Sequence, residues 1–128
     1  MRIITSLIIV SILMMVAAPT WTYDLMQIIL CEQADGVTDD QVEQMAAKWF
    51  AAAKGVKGGE NLEMRLNFPV AAKAGEIDVA MMLLAPNFAE WGTFMDNYPD
   101  SAAEDVDDEY DEFIDCMDGS LWESVTVK

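Results

Sequence analysis

IDVAMMLLAPNFAEWGTFMDNYPD, Ile77 to Asp100, is the stretch on which the reading of the fold turns. Ile77 to Ala85 is short and almost wholly apolar, as a strand covered on both faces would be, and periodicity alone does not separate that from a buried helical segment. Pro86 separates them. Its ring clashes with a preceding helical turn and biases Ala85 toward extended backbone, so the strand ends there and a new element begins. Asn87 then stands as an N-cap, with Glu90 three residues on to complete a capping box. Phe88, Trp91 and Met95, spaced by three and four, turn one face of this helix toward the sheet. Gly92 and Asp96-Asn97-Tyr98-Pro99 keep it short. The aromatic side chains at the end of the strand have two readings, ordinary core and the wall of a pocket.

Upstream, Leu62 to Val70 alternates throughout, with Leu62, Met64, Leu66, Phe68 and Val70 on one face and Glu63, Arg65, Asn67 and Pro69 on the other. That period is a strand, and Pro69 suits an edge because proline donates no ladder hydrogen bond. Ala71 to Glu76, with Gly75, turns it into the Ile77 strand as a hairpin. Gly58-Gly59 reads as an isolated turn. Tyr23 to Cys31 reads as the first strand, stopped by Ala34-Asp35-Gly36. Between the two, Thr38 and Gln41 form a capping box for a helix with Val42, Met45, Ala46, Trp49, Phe50 and Ala53 on one face, closed by Gly55.

Downstream, Ser101 and Glu104 cap a second amphipathic helix, with Ala103, Val106, Tyr110, Phe113, Ile114 and Met117 on its apolar face and Asp118-Gly119 at its close. Leu121 to Val127 is then the last strand, rich in β-branched residues. The order is βαββαβ with a small extra helix in the second crossover: an α+β, ferredoxin-like pattern with a four-stranded antiparallel sheet. Its first and last strands are neighbours, which brings Cys31 near Cys116 and predicts a disulfide, the usual state of an even cysteine pair in an oxidising compartment. Two helices cover one face of a sheet whose Ile77 strand is apolar on both sides. The other face predicts a homodimer formed by packing open faces together.

At 128 residues there is room for one domain, placed at 23–128. Arg2 followed by the uncharged apolar run Ile3 to Ala18 reads as a signal peptide, 1–22, and so as periplasmic or secreted protein. Val16-Ala17-Ala18 has the small residues of a cleavage site, whereas Pro19 directly after it disfavours cleavage there. The alternative is an uncleaved N-terminal anchor, and beyond this segment nothing points to a membrane. The side chains sum to −16, and 15 acidic residues with no basic one lie between Lys73 and Lys128. A nucleic acid or an anionic lipid surface needs the opposite charge.

The chain has no histidine, which removes Ser-His-Asp and Cys-His catalysis and most catalytic zinc sites. No phosphate-cradling glycine motif and no cofactor signature is present. Asp105, Asp107 and Glu109 imitate the start of an EF-hand loop, but Tyr110 stands where that loop needs glycine, so no metal site is read there and the acidic run is a solvated helix face. The methionines Met45, Met64, Met81 and Met117 fall singly on core faces rather than clustering as copper ligands.

In this strand order, the stretch AP-NFAEWGTF (Ala85 to Phe94) and the terminal LWESVTVK resemble small exported bacterial proteins of unassigned function with the dimeric α/β-barrel form of the ferredoxin-like fold. The resemblance covers the chain after the signal segment and rests on pattern. The wider superfamily includes cofactor-free monooxygenases of the antibiotic-biosynthesis type, haem-degrading enzymes and stress-response barrels. It implies a pocket between sheet and helices and dimerisation through the sheet. The haem-degrading members use a histidine ligand, which this sequence lacks. Two functions are thereby set against each other. One is a non-catalytic exported binding or interaction protein, with a small apolar or aromatic ligand at Trp49, Phe50, Asn67, Phe88 and Trp91, or a protein partner on its surface. The other is a cofactor-independent monooxygenase acting on a hydroxylated aromatic or quinol, with Asn67, Asn87 and Tyr98 as its polar groups.

Overall fold

The computed structural model describes residues 22–71, 77–117, 119–125 and 127. The expected signal segment, apart from Thr22, and most of the Ala71 to Glu76 turn lie outside them. The elements run β1 (Leu25–Gln33), α1 (Asp39–Ala53), β2 (Glu63–Asn67), β3 (Val79–Ala85), α2 (Phe88–Asn97), α3 (Ala102–Tyr110), β4 (Ile114–Cys116) and β5 (Ser120–Glu123). The strands lie in the order β2-β3-β1-β4, with β5 also on β1, and every pairing is antiparallel. β3 is inserted between β1 and β2, the strands joined through α1, which makes this the split βαβ arrangement of the ferredoxin-like fold.

Local chemistry accounts for most boundaries. The Thr38 and Gln41 capping box is complete, with each side chain satisfying the other residue's backbone N–H, and Asp39 and Asp40 add negative charge where the helix dipole favours it. Pro86 separates β3 from α2, and the Asn87 side chain accepts from the Glu90 N–H at 2.9 Å. The return half of that expected box is replaced. The Glu90 carboxylate accepts hydrogen bonds from the Asn87 side-chain amide at 3.1 Å and from the Asn61 side-chain amide at 3.0 Å, tying the helix to the loop before β2.

The end of the chain differs from expectation. The second long helix stops at Tyr110, where Phe113 N–H donates back to the Tyr110 carbonyl at 2.7 Å and Ala34 N–H donates to the Phe113 carbonyl at 2.8 Å. Ile114 to Cys116, read as helix, is strand β4. The last strand therefore pairs in two pieces, Cys31 opposite Cys116 in β4 and Ile28 opposite Ser120 in β5. Between these pairs the register moves by one residue, which is the signature of a β-bulge. One interrupted edge thus takes the place of the fourth strand and makes the sheet five-stranded. Gly119 lies in that interruption, and a Cβ there would stand 2.9 Å from the Gln27 amide nitrogen and 3.1 Å from Ile29 Cγ1. Cys31 and Cys116 are disulfide-bonded. Met117 N–H donates to the Leu30 carbonyl, so the cysteines occupy the adjacent non-hydrogen-bonded pair, where side chains stand closest.

α1 and α3 pack on each other over one sheet face, and α2 packs on β3. The buried side chains form two clusters. One gathers Leu25, Ala53, Val56, Leu62, Leu83, Ala85, Phe94 and Ala103; the other gathers Cys31, Val42, Val79, Val106, Tyr110 and Ile114. Trp49 and Ala52 pack against both. The face expected of α2 is displaced: Phe88 is 58% exposed and Met95 is 37% exposed, while Phe94 is the fully buried side chain. The loop at Gly58 explains the choice. With φ at +89°, its Cα comes so close to α2 that a Cβ would stand 2.5 Å from the Phe94 nitrogen. That close approach makes Gly58 part of the packing rather than an isolated turn, and it sets Phe94 over the core.

Among the described residues no helix covers the opposite sheet face. By strand alternation and register it presents Met26, Ile28 and Leu30 of β1, Ala80, Met82 and Leu84 of β3, and Trp122 of β5. Leu30 and Trp122 are 38% and 54% exposed.

Candidate functional site

Between the sheet and the helices lies a cavity of about 630 Å³, lined by members of both core clusters and by Trp49, which packs against both. Its floor is the sheet: Gln27 and Ile29 of β1, Met64 of β2, Met81 and Leu83 of β3. Its roof is Trp49 from α1 with Phe94 and Tyr98 from α2 and its end, and its far wall runs from Asp107 and Tyr110 of α3 to Cys116 of β4. Volume and lining are those of a small-molecule site, apolar with few polar groups.

Three aromatic rings form the roof. Trp49 meets Phe94 edge-on at 6.4 Å between centroids, Trp49 meets Tyr98 at 6.3 Å, and Phe94 meets Tyr98 at 5.6 Å. These separations and tilts are the favourable ones for ring quadrupoles. The Trp49 indole N–H donates to the Tyr98 hydroxyl at 3.2 Å, which holds both rings in place.

The polar groups are few and perturbed. Burial pushes the Tyr98 hydroxyl pKa up, opposed by the bond from Trp49. Burial does the same to Tyr110, where the Trp49 backbone acts the other way. Tyr110 is only 6% exposed, and its hydroxyl has no partner of hydrogen-bonding geometry among the described residues. An unmet buried hydroxyl of this kind costs about 1–3 kcal/mol. Desolvation raises the Asp107 carboxyl pKa; the Tyr98 hydroxyl favours the carboxylate, and Asp111, Asp108 and Glu104 disfavour it.

Of the residues read as a pocket, Trp49 lines the cavity. Phe50 packs against the first core cluster under the Lys54 ammonium, 5.0 Å from its ring centroid. Trp91 packs against the same cluster, its indole N–H also buried without a partner among the described residues. Phe88 is exposed, and Asn67 is an exposed residue of β2 that donates to the Ala80 carbonyl at 3.2 Å. Asn87 is occupied as the α2 cap, whereas Tyr98 does reach the cavity. In the sequence Tyr110 stands on an apolar helix face, Asp107 in a solvated acidic run and Phe94 off the expected face of its short helix, with nothing to say that the three converge.

No family model matches the sequence, and no curated protein resembles it closely enough to be matched. Solved structures do share the fold. A crystal structure of a dimeric ferredoxin-like protein of unknown function from Thermobifida fusca is similar at a TM-score of 0.56 and 18% identity, over 80% of this chain and 92% of that one. The solution structure of a hypothetical Arabidopsis thaliana protein is similar at 0.57 and 11% identity, over 84% and 93%. A chlorite dismutase-like chain is similar at 0.50 and 9% identity, over 81% of this chain and 45% of that one. At these identities the shared property is the ferredoxin-like fold.

Proposed function

We propose that this chain is an exported, homodimeric binding protein that holds a small apolar or aromatic molecule between its sheet and its helices. The cavity carries the reading. A space of about 630 Å³ lies between sheet and helices and is roofed by three mutually packed aromatic rings, beside a buried hydroxyl with no partner among the described residues. Export is supported by the Arg2 to Ala18 leader pattern and by the Cys31–Cys116 disulfide, a bond that persists in oxidising compartments. Among the described residues no helix is long and apolar enough to cross a membrane. The homodimer is supported by the uncovered apolar sheet face and by the Thermobifida fusca neighbour, described as dimeric.

The test is a fluorescence titration of the protein lacking residues 1–22 with hydroxylated aromatics and lipophilic metabolites, with oxygen uptake recorded. Saturable quenching that is lost in Trp49→Phe, with no oxygen consumed, is the expected result. Oxygen consumption on addition of a quinol would replace binding by oxygenation. No saturable response to any compound would overturn the ligand site. Light scattering of the same sample should give twice the chain mass, and a strict monomer at micromolar concentration would overturn the dimer.

A further inference from the structure

Resting on that reading of the cavity, we infer that its ligand is an organic cation: an amine or quaternary ammonium group carried on an apolar or aromatic body. The lining carries the carboxylates of Asp107 and Asp111 and neither lysine nor arginine; Asp115 also borders it, but its register opposite Glu32 of β1 turns its side chain to the other sheet face. Their charge is unanswered locally. The ion pairs among the described residues are Lys48 with Glu109 and Arg65 with Glu63, and neither involves a cavity carboxylate. The carboxylates share this lining with the Trp49, Phe94 and Tyr98 rings, and the negative faces of such rings attract cations from within about 6 Å of their centroids. The partnerless Tyr110 hydroxyl adds a buried polar atom at the same wall, with a lone pair for an ammonium N–H.

The alternatives fit less well. An anion would enter a cleft of one negative sign in a chain of net charge −16. A bare metal ion needs oxygen ligands converging within about 2.6 Å, and no group of three or more carboxylate or cysteine residues is so placed among the described residues. Spread carboxylates with aromatic faces between them suit instead a large, weakly hydrated cation whose hydrocarbon part fills the apolar floor of Ile29, Met64, Met81 and Leu83. The acidic surround also raises the local cation concentration, so association should weaken as salt is added.

A matched trio separates this inference from the reading beneath it: 4-phenylbutyl-trimethylammonium, 4-phenylbutanol and 4-phenylbutyrate, each titrated by calorimetry at low salt. The cation should bind at least ten-fold more tightly than the alcohol, and the carboxylate most weakly. In Asp107→Asn/Asp111→Asn the cation should fall to the affinity of the alcohol while the alcohol is unchanged, which also shows that the variant is folded. Asp105→Asn/Glu112→Gln, outside the cavity lining, should leave the preference intact. If the alcohol or the carboxylate binds as well as the cation, or if the outer variant removes the preference equally, the inference fails and the binding site survives. If none of the three binds, both fail.

Discussion

Around Leu25 and Phe94 the sheet and helices are held by side-chain volume, with Leu62, Leu83 and Val56 filling in and the Gly58 loop drawn against α2. Around Cys31 and Val42 a covalent bond between β1 and β4 adds to the packing and ties the sheet edge down. The difference follows from what each end must do. The first end meets the cavity with large side chains, Leu83 in its floor and the Phe94 ring in its roof. The second includes the wall where Tyr110 and Ile114 face the cavity, and a cross-strand bond holds an edge in place without filling the space beside it.

Phe94→Ala should break the first end and have the largest effect. Removing a fully buried ring costs about 3–5 kcal/mol, seen as a large fall in denaturation midpoint. The loss should be the same with and without reductant, because the ring and the disulfide belong to different clusters. An equal stability for this variant and the parent would dissolve the distinction.

Breaking the second end should cost somewhat less. Cys31→Ala/Cys116→Ala, or reduction of the parent, should lower stability by about 2–5 kcal/mol, since the bond closes a loop with a separation of 85 residues. Intact mass with and without alkylation checks the bond itself, and two alkylated thiols in native exported material would refute it. Once reduced, the parent should lose protection from hydrogen exchange first at β4 and β5, the bulged edge, rather than at α2.

The smallest effect should be the pH dependence of the cavity wall. Desolvation and its acidic neighbours raise the Asp107 carboxyl pKa on folding, so the folded state takes up a proton more readily than the unfolded chain. Its contribution is therefore favourable at low pH and is lost as pH rises through the folded-state value. Asp107→Asn should raise the melting temperature slightly at neutral pH, with the gap vanishing in acid below the usual aspartate range of about 3.9. A gap that widens in acid would mean that Asp107 is stabilised as a carboxylate.

Much of the fold was legible because its signals are local. The alternation from Leu62 to Val70, the Pro86 stop and the Thr38 capping box each depend on residues within a few positions of one another, and β2, β3 and α1 stand close to where they were expected. The end of the chain was not legible in the same way. Ala103, Val106, Tyr110, Ile114 and Met117 keep helical spacing through residues that form a turn and a strand, and Met117 is in fact 51% exposed. The same apolar residues satisfy both periods over so short a run, and pairing with β1 decided between them. Phe88, Trp91 and Met95 made an acceptable α2 face for a similar reason, since a face one position over, with Phe94, is also apolar.

The sequence by itself determined the βαββαβ order, the net charge of −16, the lack of histidine and the nearness of Cys31 to Cys116, because each is a matter of composition, of short-range stereochemistry or of strand order. Only the tertiary structure decided which face of α2 is buried, where the last strand breaks, and that Trp49, Tyr98, Asp107 and Tyr110 share one cavity. These depend on contacts between α1, α2, α3 and the sheet, elements far apart in sequence, and a periodic pattern records only that a helix has an apolar side, not which neighbour that side will meet.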